Sequence, residues 1–197
     1  IVEADDPRVS GILTEMVAVV VGHGGAVHPG ARLLERGHDL TVECEADAAP
    51  PETPLFRVPR ELLVPVTGAT WSDSRDALVL LEAPQGLSPA QEALLTLFID
   101  LYNACEKVPR TAASHPATAD LAPGLIEAVR MIYPRFRGEP RSAAEVLIGC
   151  RVFGLTGPPG AEPAKTQVLM PLIDLLDHNE HGAPYAVDAT AMTVQAA

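Results

Sequence analysis

The stretch VLMPLIDLLDHNEHGAPYAV, residues 168–187, holds the densest cluster of aspartate and histidine in the sequence. Its first residues are apolar and predict an extended segment, which turns helical near the proline. Asp174 and His178 are four residues apart, as are Asp177 and His181, so each pair would share one face of a helix. We expect the functional chemistry of the chain to lie in this stretch.

The residues alone leave three interpretations of this cluster open. The side chains could bind a metal, although no HExxH or other strong metal-binding pattern is present. They could bind a cofactor. They could instead cap the end of a short buried helix, which is the interpretation that the spacing alone favours.

Segments on both sides of the cluster predict short strands. Residues 183–195 predict one or two strands, and LFRVPRELLVPV, residues 55–66, predicts two strands with a bend at Pro59. Apolar and polar side chains alternate over residues 40–44, which is typical of a half-buried strand.

Two capping boxes predict helices in the middle and later parts of the chain. Residues 88–91 form one, with proline at the first helical position, and its helix is expected to run to Cys105. Residues 142–145 form the other, and its helix is expected to continue to Gly154.

Weaker patterns complete the prediction. Residues 10–21 carry apolar side chains at helical spacing, with Ser10 as the expected N-cap. Residues 73–82 are assigned to the helical middle of the chain, residues 108–123 to a loop, and residues 124–133 to a short helix.

The order of these elements predicts an α+β domain. Strands come first, a mostly α-helical insert follows, and strands return at the end, so we expect the strands of the two ends to meet in space. The corresponding divisions are an N-terminal part at 1–70, the insert at 71–141, and an incomplete C-terminal part at 142–197.

The net charge of −12 limits the partners of the chain. A field of this sign repels a polyanion, so we predict no nucleic-acid binding. A basic protein segment or a cationic small molecule fits the charge better. The alternative is that the acidic surface only keeps the protein dissolved.

The three cysteines predict a reducing compartment. Cys44, Cys105 and Cys150 include no short-spaced pair, which argues against a disulfide framework or a zinc cluster. No signal peptide is visible, and the longest strongly apolar run, residues 16–21, is too short to span a bilayer. We therefore expect a cytoplasmic protein with no membrane contact. The apolar residues around Cys150 on its predicted helix indicate that Cys150 is buried.

Four segments follow one another in the order of a known set of motifs. GGAVHPG (24–30) matches a glycine pair before a first sheet, and LFRVPRELLV (55–64) matches a strand pair. AEVLIGCRVFGL (144–155) matches a helix with an SRxF pattern, and PLIDLLDH (171–178) matches a PLxDxxNH motif. Together they resemble the SET methyltransferases of the Rubisco-lysine-methyltransferase branch, over roughly residues 12–195.

The resemblance implies a SET-like fold of small β-sheets with a mostly α-helical insert. It implies an S-adenosyl-L-methionine-dependent N-methyltransferase that acts on a lysine-like amine of a protein or small molecule and needs no metal. Arg151 would hold the methionine carboxylate of the cofactor, and Asp177 and His178 would flank its adenosine. Gly37 would lie in the turn that wraps the cofactor. Two further residues would support these motifs: Asp174 and Phe153.

Three differences from the family pattern keep an alternative open. The family's GxG turn has a single glycine here, Gly37, and Asp177 stands where the family has asparagine. The family's tyrosine-bearing GEE…YG segment would follow Ala197, where this sequence stops. The alternative is a degenerate SET-like scaffold that binds a ligand or partner without methyl transfer, or that is repurposed for other biosynthetic chemistry.

Overall fold

The fold combines helices with several small sheets. The computed structural model describes residues 2–44, 53–114, 142–155, 166–175 and 185–195. Within these ranges the helices are α1 (Pro7–Gly22), α2 (Pro89–Ala104), α3 (Lys107–Ser114) and α4 (Ala143–Arg151). The strands are β1 (Val2–Ala4), β2 (Ala26–Val27), β3 (Ala31–Arg36), β4 (Asp39–Cys44), β5 (Pro54–Pro59), β6 (Val64–Pro65), β7 (Thr70–Trp71), β8 (Leu80–Glu82), β9 (Phe153–Leu155), β10 (Thr166–Leu169), β11 (Tyr185–Val187) and β12 (Ala191–Gln195). The described residues also include two 3-10 turns, at Arg60–Leu62 and Ile173–Leu175. The predicted α+β class is confirmed.

The described strands form four sheets. One contains β1, β3 and β4; a second has β10 between β6 and β9; a third has the order β11-β12-β5-β2; and β7 pairs with β8. Strand β12, near the end of the chain, pairs antiparallel with β5 along its whole length. The predicted meeting of strands from the two ends is therefore confirmed.

Helix α1 begins earlier than the apolar spacing predicts. Its N-cap is Asp6, whose Oδ1 accepts a hydrogen bond from the Arg8 amide at 2.8 Å, and Pro7 occupies the first helical position. Ser10 lies inside the first turns, so its assignment as the N-cap was wrong. An aspartate followed by proline is the stronger start signal, because the carboxylate satisfies a free amide and proline has none to satisfy.

The two predicted capping boxes are present. In each, the serine side chain accepts from the third helical amide and the third residue's side chain accepts from the serine amide, at Ser88 and at Ser142. The helix after Ser142 ends at Arg151, however, and does not reach Gly154. Residues 153–155 instead form β9, since pairing with β10 satisfies their main chain.

Two predictions for the middle of the chain were wrong. Residues 73–82 contain no helix and end in β8, and the Asn103 side chain bonds the amide and carbonyl of Leu78 at 2.7 and 3.0 Å. Residues 108–114, predicted as loop, lie in α3, with Val108 and Ala112 buried on one face. A proline within the first turn of α3 is compatible with a helix, because the early amides have no partner there. The rest of the predicted loop, and the predicted helix at 124–133, lie outside the described residues.

A buried glutamate ties the β3–β4 hairpin to the start of α1. Glu35 Oε2 accepts from the amides of Asp5 and Asp6 at 2.9 and 3.1 Å, and Oε1 accepts from the amide of His38 at 2.6 Å. Desolvation alone would raise the pKa of Glu35, but these three hydrogen bonds outweigh it and lower the pKa. Gly37 and His38 form the two-residue turn, and both have positive φ, as a type I′ turn requires.

The sheets and helices share one apolar core. Helix α2 packs against α1, β6 and the first 3-10 turn, so the described part of the predicted insert is continuous with the strands around it. The core is made mainly of leucine, valine and alanine, with buried Phe56, Phe98 and Tyr102. In the part of the chain that the structure describes, no helix combines the length and the apolar character needed to cross a membrane.

Candidate functional site

Three elements that are distant in sequence bring three polar side chains together. Tyr102 lies in the last turn of α2, Arg151 is the last residue of α4, and Asp174 is the central residue of the second 3-10 turn. The turn follows β10 after three residues, and β10 pairs with β6 on one side and β9 on the other. The C-terminal ends of two helices thus meet a strand end, and we call Tyr102, Arg151 and Asp174 the buried polar cluster.

Arg151 connects the helix to the turn. Its Nη1 donates a hydrogen bond to the main-chain carbonyl of Asp174 at 2.7 Å. Its Cζ also lies 5.8 Å from the centre of the Tyr102 ring, within the range of a cation–π interaction. The half-buried guanidinium is therefore fixed by main chain on one side and an aromatic face on the other.

Tyr102 is almost completely buried. Its ring stacks on Phe98 with the ring centres 4.1 Å apart, and its hydroxyl interacts with the Asp174 carboxyl. Burial, reinforced by the nearby Asp174 charge, raises the pKa of Tyr102 well above its usual value. The phenol therefore stays protonated at neutral pH.

Asp174 is a buried carboxyl whose hydrogen-bonding capacity is not met. Only 6% of the residue is exposed, and neither carboxylate oxygen has a hydrogen bond of good geometry in the described structure. The Tyr102 hydroxyl is close enough to affect the carboxyl electrostatically but does not satisfy it. Desolvation raises the pKa of Asp174 to about 7, against the opposing effect of the Arg151 charge.

The main chain beside Asp174 is strained. Leu172 is fully buried and has φ of 68°, in the left-handed region that leucine rarely adopts. The 3-10 turn is closed by a hydrogen bond from the Leu175 amide to the Leu172 carbonyl at 3.3 Å, and the Asp174 amide donates to the Met170 carbonyl at 3.0 Å. Strain of this kind persists only when surrounding packing enforces it, and it is common at binding and catalytic sites.

A small cavity lies against Asp174. Its volume is about 10 Å³, which is close to the least that one water molecule needs. Apart from Asp174 its walls are apolar: Met16, Val64, Leu94, Phe98, Leu169 and Pro171. Among the described residues, this cavity leaves room behind the carboxyl for a solvent molecule but not for a larger ligand.

The structure brings together only some of the predicted site residues. Arg151 and Asp174 meet, as described above. Phe153 lies on β9, and its ring meets that of Tyr185 edge-on with the centres 5.2 Å apart. Gly37 donates its amide to the Asp5 carboxylate at 3.3 Å, and no described contact links it to Arg151 or Asp174.

Other members of the aspartate and histidine cluster are not described. Asp177, His178 and His181 lie outside the described residues, so their predicted roles stay predictions. Within the described ranges, no group of three histidine, cysteine, aspartate or glutamate side chains is arranged to hold a metal ion.

The prediction that Cys150 is buried was wrong. Cys150 is exposed, whereas Cys105 is fully buried, and desolvation raises the pKa of the Cys105 thiol to about 11. The error has a simple cause: apolar neighbours on a helix do not show which face carries the residue between them. Burial on α4 falls on Val146, Leu147 and Ile148 instead.

Sequence reasoning missed Tyr102 as a site residue. Its position among the apolar residues of α2 predicts only that it lies in the core. The one available signal was chemical, because a phenol buried in an otherwise apolar stripe needs a polar partner. That partner, Asp174, is supplied from a segment far along the chain.

No protein-family model, no curated protein and no solved structure matches the chain significantly.

Proposed function

We propose that this protein is an S-adenosyl-L-methionine-dependent N-methyltransferase of the SET type, acting on a lysine-like amine of a protein or small molecule. The observation that carries the proposal is the hydrogen bond from Arg151 to the main chain of Asp174. The resemblance requires the SRxF-like helix to meet the PLxDxxNH-like motif, and these two segments do meet.

The chemistry of the cluster fits part of the cofactor. Only Nη1 of Arg151 is bonded to the described residues, and the guanidinium has further N–H groups that can bind a carboxylate. Arg151 would therefore hold the methionine carboxylate. Asp177 and His178 follow Asp174 closely in the sequence and would contact the adenosine. When bound, the cofactor supplies a methyl group activated on a sulfonium.

The protein's own contribution would be positioning and exclusion of water. Displacement at a methyl group needs the attacking amine in line with the leaving sulfur, so orientation supplies much of the acceleration. The amine must also be neutral, and burial lowers the pKa of an amine.

The charge of the chain is consistent with a cationic substrate. A net charge of −12 attracts lysine-rich segments and small amines over a distance set by the ionic strength. We therefore propose a basic protein segment or a cationic small molecule as the partner, and no nucleic acid.

A second candidate function is a SET-like scaffold that binds a ligand or partner without methyl transfer. Two observations favour it. The described cavity beside Asp174 has room for about one water molecule, and Arg151 is already bonded to the protein's own main chain. The sequence adds that Asp177 stands where the family has asparagine, which removes an amide donor.

Calorimetric titration with S-adenosylmethionine and S-adenosylhomocysteine tests the proposal. We expect binding in the micromolar range, weakened at least about tenfold in Arg151→Ala, the change that a lost charge-assisted hydrogen bond predicts. Arg75→Ala is the matched control, because Arg75 is exposed and distant in sequence from the cluster. No binding by a folded sample would exclude the cofactor.

Incubation with radiolabelled S-adenosylmethionine and poly-L-lysine separates the two candidates. Transfer of label to poly-L-lysine supports the enzyme. Binding of the cofactor without transfer to poly-L-lysine or free lysine supports the scaffold.

A further inference from the structure

We propose that the buried polar cluster is a proton-linked carboxylate site, in which Asp174 takes up a proton when a ligand carboxylate binds Arg151. The inference deepens the proposed function and rests on it for the source of the carboxylate, which is the amino-acid part of the cofactor. It adds a role for Asp174 and Tyr102 as positioning residues that act through Arg151.

The Arg151 guanidinium bonds the main chain of Asp174 and not its carboxylate. The guanidinium donates to the Asp174 carbonyl, and neither carboxylate oxygen accepts a hydrogen bond of good geometry in the described structure. The two groups are therefore close without forming a direct ion pair. A buried carboxylate in that position is stable only if it is protonated or compensated by another charge.

The groups that face Asp174 are few. Helix α2 contributes Tyr102, and α4 contributes Arg151; Cys105 acts on Tyr102 and is itself protonated at neutral pH. The cavity residues from α1, β6 and β10 are apolar: Met16, Val64 and Leu169. Strand β4 also contacts the turn, and its titratable residues are the exposed Asp39 and Glu43 and the half-buried Cys44. Arg151 is thus the one cation acting on Asp174 among the described residues.

Protonation of Asp174 changes the net charge of the cluster. With Asp174 ionised, the carboxylate and the guanidinium cancel, and a second carboxylate is weakly attracted. With Asp174 protonated, Arg151 carries an uncompensated positive charge, which binds a carboxylate more strongly. The bound carboxylate in turn disfavours ionisation of Asp174. The proton comes from solvent and bonds to a carboxylate oxygen of Asp174, and no bond of the ligand changes.

The pKa of Asp174 makes this coupling effective near neutral pH. Burial raises the pKa of Asp174 to about 7, so the free protein is partly ionised there. A ligand carboxylate raises this pKa further. Between the pKa of Asp174 in the free protein and its pKa in the complex, one proton is taken up per ligand bound. In that range the affinity for the carboxylate ligand falls by up to about tenfold for each unit of rising pH.

A substitution at Tyr102 tests the same coupling by changing the pKa of Asp174. Its ring lies against the Arg151 guanidinium, while its hydroxyl interacts with Asp174 and lowers the pKa of that carboxyl. Tyr102→Phe keeps the ring and removes the hydroxyl. We expect ligand binding to persist in this variant, with its pH dependence moved to higher pH.

The experiment is calorimetry with S-adenosylmethionine and, separately, with L-methionine. Titrations in two buffers of different ionisation enthalpy, at several values between about pH 6 and about pH 9, give the protons taken up on binding. The wild type is expected to take up close to one proton, and Asp174→Asn none. The ligand's own amino group titrates equally with both proteins, so the difference isolates Asp174. Asp100→Asn, at an exposed site on α2, is the matched control.

A second measurement needs no substitution at Asp174. Carboxyl carbon NMR of the wild type, with and without ligand, follows each aspartate through its titration. One aspartate is expected to titrate near neutral pH and to move upward when L-methionine or the cofactor is added. If no aspartate titrated near neutral pH and shifted with ligand, the proposal would be overturned even if Asp174→Asn did not fold.

The outcomes distinguish this inference from the proposed function. If S-adenosylmethionine binds with no proton uptake beyond that of Asp174→Asn, the coupling is wrong and the proposed function stands. If only L-methionine binds, with uptake, the coupling stands and the proposed cofactor is wrong. If neither ligand binds the folded protein, both are overturned.

Discussion

Asp174 is a residue at which the described fold departs from the rule that buried polar groups are hydrogen-bonded. Its carboxyl lacks a hydrogen bond of good geometry in the described structure, and desolvation raises its pKa to about 7. In the unfolded chain an aspartate has a pKa of about 3.9. Between these two values the folded chain holds a proton that the unfolded chain has lost, so the free energy of unfolding decreases as the pH rises. The stability contributed by neutral Asp174 is therefore present in acid and lost by about pH 7.

Replacing Asp174 by asparagine should remove this pH dependence. Asparagine has nearly the same shape and does not titrate in this range. Relative to the wild type, Asp174→Asn should gain up to about 3 kcal/mol in free energy of unfolding between about pH 5 and about pH 8. Urea unfolding at both pH values measures the difference, and Asp100→Asn is the exposed control. An equal difference between variant and wild type at both pH values would contradict the assignment.

Single residues show how far sequence reasoning about the candidate site reached and where it stopped. Asp174 was singled out by its spacing from His178 and Arg151 by the family resemblance, and the structure places the Arg151 guanidinium in a hydrogen bond with the Asp174 carbonyl. Tyr102 was missed, since nothing near it in sequence reveals a carboxyl that comes from a distant turn. The roles of Asp177 and His178 remain predictions.

At the scale of elements, the end of α1 and strand β5 approach each other through a glycine. A Cβ atom placed on Gly25 would lie 2.5 Å from Val20 Cγ1 and 2.7 Å from the Arg57 and Val20 carbonyl oxygens. Two of these three atoms are main chain and cannot turn away. Because the main chains approach closely at Gly25, β2 can begin shortly after the end of α1 and pair with β5.

Alanine substitution at two glycines near α1 should therefore have opposite effects. Gly25→Ala should lower the free energy of unfolding by about 3 kcal/mol, the upper part of the range for overpacking. Gly11→Ala, on the exposed face of α1 with no atom within 4 Å of the new Cβ, should raise it by about 1 kcal/mol. Denaturant unfolding of the two variants measures both. Effects of the same sign would show that the helix end is not packed as described.

Elements differed in how well the chain itself predicted them. The capping boxes at Ser88 and Ser142 are local hydrogen-bonding units, so their sequence pattern was sufficient. Residues 80–82 and 153–154 were assigned to helix but lie in strands, because their conformation depends on a partner strand.

At the scale of the whole molecule, the described helices and sheets bury side chains in one connected core. Leu13 on α1 and Met192 on β12 are both fully buried members of it, although they lie near opposite ends of the chain. A core shared in this way predicts one cooperative unfolding transition rather than separate melting of an insert and a sheet domain.

Substitution at either end of the core should weaken the same transition. Leu13→Ala and Met192→Ala should each lower the free energy of unfolding by about 3 kcal/mol. Thr96→Ala, at an exposed site on α2, should have little effect. Fluorescence of the single tryptophan, Trp71, and far-ultraviolet circular dichroism follow the transition together. Two separated transitions would indicate independent units.

The amino-acid sequence by itself determined the α+β class, the capped starts of α2 and α4, and the bend at Pro59, because each depends on residues that are neighbours in the chain. The start of α1 at Pro7, capped by Asp6, was also written in neighbouring residues, although the apolar spacing pointed to Ser10. Only the tertiary structure decided that β9 replaces the end of a helix and that Tyr102 lies beside Asp174. Strand pairing and the desolvation of a carboxyl depend on groups that meet only after folding. The spacing of residues along the chain therefore does not predict strand pairing or the desolvation of a carboxyl.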